Sequence, residues 1–292
     1  MARRQPTIDS SHIPWDKSWI IRMGLLDLIH GRTQIAEFLQ IEHANLSDDL
    51  LALERTLESW DNDQPIDVGE SGTLYRLLQF TAWKQGTHRQ FIKHGTLRDR
   101  PIASDPSIVH KSQETLLSLD NQTSQWASAA ALNGDTERVA HPPYKLALTY
   151  LAIDHWRAQI NRGHNWIPRR DETIRAQADA FVQAREGKPL TFSPQQAEDY
   201  CFARAFKLMA PDEGKRRWPA LVGHESNRIK EMETQLQQAN SGKPITSRDH
   251  RVVQAIAMFG AIANDPLDFM CPECVRKSWP QFWRFLEEYS AS

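Results

Sequence analysis

Lysine and arginine recur at one kind of place in this 292-residue chain: the opening turns of segments with helical apolar spacing. Lys17 and Arg22 follow Asp16, and Arg76 lies a turn beyond Gly69-Glu70-Ser71-Gly72-Thr73. Arg228 follows Glu225, Arg251 follows Asp249-His250, and Arg276-Lys277 precede the last helical segment. A helix N-terminus already carries partial positive charge and unpaired N–H groups, so a cation there is electrostatically misplaced. Its repetition points to a bound anion that satisfies the helix dipole and the side chains together. Arginine suits phosphate and carboxylate because its planar fork bonds two oxygens at once. The Gly69–Gly72 turn fits the same chemistry, since glycines let backbone N–H groups approach a ligand closely. It is not a nucleotide loop, because no Gly-Lys-Ser/Thr follows it. These residues by themselves call for a small polyanion bearing phosphate or carboxylate.

The elements that must position them read as follows. A helix opens at Asp16, runs to Leu28 and stops at Gly31, with cap and stop residues in their usual places. A second follows Ser47-Asp48-Asp49 as far as Trp60, the aspartates acting as capping residues, and a third carries Leu74, Leu77, Leu78 and Phe80. Others open near Gln122 to Gln125, at Pro143-Tyr144, at Asp171, after Ser193-Pro194, at Glu225, at Asp249 and at Pro280. Short β-branched or alternating stretches predict strands at Thr33–Ile41, Pro65–Val68, Gln90–Lys93, Thr115–Leu119, Leu190–Phe192 and Leu267–Met270. Helices alternating with strands predict an α/β protein. The charged stretch Arg162–Lys188 divides it, giving domains at 13–165 and 166–292.

Composition narrows the function. Apolar residues at 40% and charged residues at 25% exclude a disordered chain. Thirty-five basic against 37 acidic residues leave a net charge of −2 and no global basic field for nucleic acid. Three cysteines make no disulfide framework and fit a reducing compartment. Cys271-Pro272-Glu273-Cys274 has zinc-like spacing without a second pair, so no metal site is expected. The basic start lacks an apolar core, and the run Val252–Ala263 is too short to span a membrane. A cytoplasmic protein without membrane contact is the expectation.

Taken in order, the motifs resemble the enolpyruvyl transferase family, and within it the branch that uses shikimate 3-phosphate. Pro14-Trp15-Asp16-Lys17-Ser18…Arg22 is similar to the family's opening Pro-Gly-Asp/Ser-Lys-Ser…Arg. Gly69 to Thr73 with Arg76 resembles its Asn-Ala-Gly-Thr…Arg turn, and Arg98-Asp99-Arg100-Pro101-Ile102 its Arg-Glu-Arg-Pro-Ile segment. Thr123-Ser124-Gln125 is similar to Ser-Ser-Gln, and Pro143-Tyr144 to the end of Ser-Lys-Pro-Tyr. His224-Glu225-Ser226-Asn227-Arg228-Ile229 resembles Lys-Glu-Thr-Asp-Arg-Ile, Asp249-His250-Arg251 matches Asp-His-Arg, and Cys274 to Pro280 resembles Cys-x-x-Lys-Thr-Phe-Pro.

The resemblance implies a two-domain α/β fold of repeated helix-and-sheet units, here with reduced strands. It implies transfer of the enolpyruvyl group of phosphoenolpyruvate to the hydroxyl of shikimate 3-phosphate, in aromatic amino-acid synthesis, with no cofactor and in a monomer. Carried over by position, Lys17, Gly72, Arg100, Gln125, Arg228, Arg251 and Lys277 bind phosphoenolpyruvate. Lys17, Glu225 and Asp199 handle the protons, with Asp199 matching the family's helix-start aspartate. Ser18, Arg22, Thr123, Ser124, Gln125, Tyr144, Asp199 and His224 hold the acceptor.

The chain departs from the family mainly on the acceptor side. It is shorter, with the largest loss between Tyr144 and Asp199, and His141, Pro142 and His224 replace the family's serine and two lysines. Glu70 stands where asparagine is common. Two alternatives therefore accompany the expected activity: an enolpyruvyl transferase with another acceptor, or a non-catalytic binder of phosphorylated carboxylates.

Overall fold

A computed structural model describes residues 8–100, 102, 104–111, 115, 123–135, 146–162, 166, 168–222 and 226–291. It divides into two compact units, Trp15–Arg169, and Met1–Pro14 together with Arg170–Ser292. We call them the inserted unit and the flanking unit. The chain is mostly helical, 64%, so the expected α/β balance gives way to an α-rich one.

The inserted unit is built on α1 (Lys17–Ile29), buried without interruption from Trp19 to Asp27. Asp16 caps it by accepting from the Trp19 N–H at 3.0 Å, and Gly31 turns the chain away at φ +64°. Around α1 pack α2 (Gln34–Glu42), α3 (Asp48–Ser59), α4 (Gly72–Lys84), α6 (Thr123–Leu132) and α7 (Ala147–Arg162). A short α5 spans Gly95–Arg98. The paired strands among the described residues are β1 (Ile66–Asp67) and β2 (Phe91–Ile92), parallel, with Ile66 opposite Phe91 and α4 as the crossover.

The flanking unit is built on α12 (His250–Ala263), buried from His250 to Met258. Against it lie α8 (Glu172–Arg185), α9 (Tyr200–Ala205), α11 (Arg228–Asn240), α13 (Phe282–Ser290) and the 3-10 turn Pro272–Lys277. A further helix, α10, spans Pro211–Arg217. The leading residues belong here: Trp279 Nε1 donates to the His12 carbonyl at 2.6 Å, and His12 Nε2 meets Glu288 at 3.0 Å. Ile8 and Ile13 are buried in this core with Phe181, Trp279 and Phe285.

Four strand expectations need correction or restriction. Thr33–Ile41 is helical instead, because Ile35 and Leu39 fall four apart on the face that α2 buries against α1 and α3. Leu190–Phe192 forms no strand, and Leu267–Met270 reduces to one parallel bridge, Ile245 with Phe269. Thr115 is helical, and 116–119 lie outside the described residues. The helix expected after Ser193-Pro194 begins only at Tyr200 and ends at Ala205, and Lys207 beyond it turns to φ +61°. No helix among the described residues is long and apolar enough to cross a membrane.

Candidate functional site

In the inserted unit the pair of parallel strands does the positioning. β1 runs into Gly69–Gly72 and the start of α4, while β2 runs into α5 and Arg100, so both turns emerge at the carboxyl ends of neighbouring strands. Parallel strands with a helical crossover gather loops at that edge, and ligands of α/β units sit there. The His94 N–H donates to the Gly69 carbonyl at 2.9 Å and fastens the turns together. Gly69 and Gly95 adopt φ +57° and +45°, the left-handed region that glycine occupies at least cost. A Cβ on Gly95 would also run into the Glu70 carboxylate.

Four expected features of an anion cradle meet at this edge. A Cβ on Gly72 would stand 2.9 Å from Arg76 Nη1 and 3.2 Å from Arg100 Nη1, so two guanidiniums converge on the glycine. Gln125, on α6, accepts from Arg76 Nη1 at 2.9 Å and donates to Thr73 Oγ1 at 2.9 Å. Arg100 Nη2 donates to Thr96 Oγ1 at 2.7 Å, and the Thr96 hydroxyl and N–H both face Glu70 Oε2 at 3.2 Å. Like charges brought together in this way favour an anion between them. Glu70 acts on Arg100 through Thr96, a role that its motif position did not reveal.

The other expected residues of this unit form separate groups. Lys17 Nζ pairs with Asp49 Oδ2 at 2.6 Å, with both side chains largely buried. Asp49 therefore does more than cap α3, whose N-cap is Ser47. Arg22 is buried and bonded only to neutral oxygens among the described residues: the Ser18 carbonyl at 2.7 Å, Thr149 Oγ1 at 2.9 Å and Ser128 Oγ at 3.5 Å. Burial pulls its pKa down to about 10, which Asp16 partly opposes. Ser18 contributes its carbonyl here, and Ser124 is half-buried beside Gln125. Thr123 opens α6. Tyr144, His224 and Glu225 lie outside the described residues.

In the flanking unit a buried polar network threads the helix core. Asp199 Oδ1 accepts from Gln177 Nε2 at 2.9 Å, and its Oδ2 accepts the Gln195 and Gln196 N–H groups at 2.8 and 3.1 Å. Gln177 Oε1 in turn faces Arg251 Nη1 at 3.4 Å. The same guanidinium reaches Gln254 Oε1 at 3.5 Å, and Gln254 Nε2 donates to Ser278 Oγ at 3.2 Å, beside half-buried Lys277. Arg251 is 4% exposed, its Nε is buried without a partner, and no carboxylate lies within 4 Å of its guanidinium among the described residues. Arg228 differs: Nε and Nη2 grip Asp249 at 2.8 and 3.3 Å. Burial works against the charge on Asp249, but Arg228, His250 and the Ser226 hydroxyl outweigh it and hold the carboxyl well below its usual range.

Gln177 and Gln254 were not among the expected site residues. A signal for Gln177 existed: it occupies the apolar stripe Ile174, Gln177, Ala178, Phe181 of α8, where a fully buried amide calls for polar partners. Cys201 is buried, which pushes its thiol up to about 12, and no group of three or more possible metal ligands exists among the described residues. Comparison with models of known families, with curated proteins and with solved structures finds no match.

Proposed function

We propose that the chain binds phosphoenolpyruvate and transfers its enolpyruvyl group to the hydroxyl of shikimate 3-phosphate, the reaction of a 3-phosphoshikimate 1-carboxyvinyltransferase. The observation that supports this reading best is the convergence of Gly72, Arg76, Arg100 and Gln125 at the carboxyl edge of β1 and β2. They come from three separated motifs, and their shared chemistry is recognition of a small phosphorylated carboxylate.

In this reaction the acceptor hydroxyl adds to C2 of phosphoenolpyruvate. A base takes the hydroxyl proton while an acid delivers one to C3, giving a tetrahedral phosphate adduct. Loss of phosphate and of a C3 proton restores the double bond. The proton-transfer candidates are Lys17, oriented by Asp49, in the inserted unit, and Asp199 and Glu225 in the flanking unit. Gly72, Arg100 and Gln125 are the proposed phosphoenolpyruvate-binding residues of the inserted unit, and Arg251 and Lys277 are those of the flanking unit. Arg228 contributes by holding Asp249 at the head of α12. Arg22, Ser18, Thr123, Ser124, Tyr144 and His224 serve the acceptor.

The test is inorganic phosphate release from phosphoenolpyruvate with and without shikimate 3-phosphate. Acceptor-dependent release, abolished in Lys17→Met and reduced about tenfold or more in Gly72→Ala, is the expected result. The scarcity of strands favours a second reading, a binder of phosphorylated carboxylates that does not turn them over. Calorimetric binding of phosphoenolpyruvate without any release would select that second reading.

A further inference from the structure

We infer that Gln177 is a positioning residue, an amide spacer that holds Asp199 and Arg251 apart and keeps the Arg251 guanidinium available to an anion. The inference rests on the proposed role of Arg251 in binding phosphoenolpyruvate. Gln177 has no exposed surface, and its two ends face opposite charges: the amide N–H donates to Asp199, and the amide oxygen faces Arg251.

A buried arginine and a buried aspartate in one core tend to pair directly, as Arg228 and Asp249 do in the same unit. Direct pairing would neutralise Arg251 and remove its value to a ligand. The glutamine prevents this. Its dipole is aligned with both charges, oxygen to cation and N–H to anion, so each is solvated by a neutral group and neither is cancelled. Asp199 is fixed from its other side by the Gln195 and Gln196 N–H groups, so it cannot follow Arg251 without losing a cap. Gln254 completes the arrangement by offering Arg251 another neutral oxygen. The partnerless Nε then marks where the network stops short of satisfying the guanidinium.

The decisive experiment is calorimetric binding of phosphoenolpyruvate to the full chain and to four variants: Arg251→Gln, Gln177→Leu, Gln177→Asn, and Gln177→Leu combined with Asp199→Asn. Leucine suits the apolar stripe and removes both bonds. Asparagine keeps the amide but is too short to bridge. Each of the three single variants should weaken binding about tenfold. The combined variant should recover most of the loss, because Arg251 no longer has a carboxylate to collapse onto. A merely structural glutamine would show no such rescue.

Wild-type affinity in folded Gln177→Leu and Gln177→Asn, or absence of rescue at an unchanged melting temperature, overturns the inference. The full pattern without acceptor-dependent phosphate release leaves the spacer standing and removes the transferase. Release with unaltered Gln177 variants does the reverse. A wild-type chain that does not bind phosphoenolpyruvate defeats both.

Discussion

The Arg228–Asp249 pair of the flanking unit and the Arg22 and Asp27 sites of the inserted unit bury charge in opposite ways. Each unit is organised around one enclosed helix capped by an aspartate, α1 by Asp16 and α12 by Asp249. In the flanking unit the cap doubles as the counter-ion of Arg228, and both groups are locked in their charged forms. In the inserted unit Arg22 and Asp27 are each buried without an opposite charge within 4 Å among the described residues. Arg22 meets hydroxyls and a carbonyl, while Asp27 accepts from Trp156 Nε1 at 2.9 Å and from the Ile35 N–H at 3.0 Å. Burial lowers the pKa of Arg22 and raises that of Asp27. A paired charge is costly to break and inert to ligands. A charge held by neutral groups is cheap to remove and open to a partner. By that contrast Arg251 belongs with Arg22 and not with its neighbour Arg228.

The largest effect should come from breaking the pair. Asp249→Ala leaves Arg228 buried and uncompensated, at a cost of about 3–5 kcal/mol. Urea unfolding should register it, and hydrogen exchange should localise the loss to α11 and α12. Protection that stays unchanged in those helices would erase the contrast.

An intermediate effect should appear with pH. The folded pKa of Asp249 is depressed, so its contribution is complete above the unfolded value of about 3.9 and drains away as pH falls below that. The folded pKa of Asp27 is raised, so the inserted unit gains stability as pH falls through the window between that raised value and about 3.9. Asp249→Asn should therefore cost most at pH 7 and progressively less in acid. Asp27→Asn, whose amide nitrogen cannot accept from Trp156 or from the Ile35 N–H, should cost least at pH 7 and progressively more in acid. Melting curves of both variants from pH 7 to pH 3 read the two signs directly.

The smallest effect should belong to Arg22→Met. It deletes a buried cation that has no counter-ion and leaves Ser128 and Thr149 bonded to each other at 2.8 Å. A change within about 1 kcal/mol is expected, measured by the same unfolding. A loss approaching that of Asp249→Ala would place Arg22 among the paired charges after all.

Helix starts were the most legible part of the sequence. Asp16, Asp171 and Asp249 each accept the backbone N–H that their position promises, because a cap is a local signal read within four residues. Strands were less legible. Thr33–Ile41 carries β-branched residues, yet its apolar period suits packing against α1 and α3, and that burial outweighs intrinsic preference. By contrast, Pro65–Val68 and Gln90–Lys93 do contain β1 and β2, where a partner lies across the helical connection. The acidic groups behind the cations were the hardest to see. Nothing local links Asp49 to Lys17 or Glu70 to Arg100, since those relations exist only once α3 stands beside α1 and α5 beside the Gly69 turn.

The division of the chain also sets an order of assembly. Residues 15–169 form one uninterrupted unit, whereas the flanking unit needs Ile8 and Ile13 from before that stretch and Trp279, Phe282 and Phe285 from long after it. On a ribosome the inserted unit can close its core while the rest is still being made. The early residues 8–14 must wait for more than 260 others before Trp279 Nε1 reaches the His12 carbonyl. The flanking unit is thus the slow, late and loop-closing partner in synthesis, and a nascent chain that has cleared the ribosome as far as Arg169 should carry one finished unit and a leading segment with nothing yet to bind.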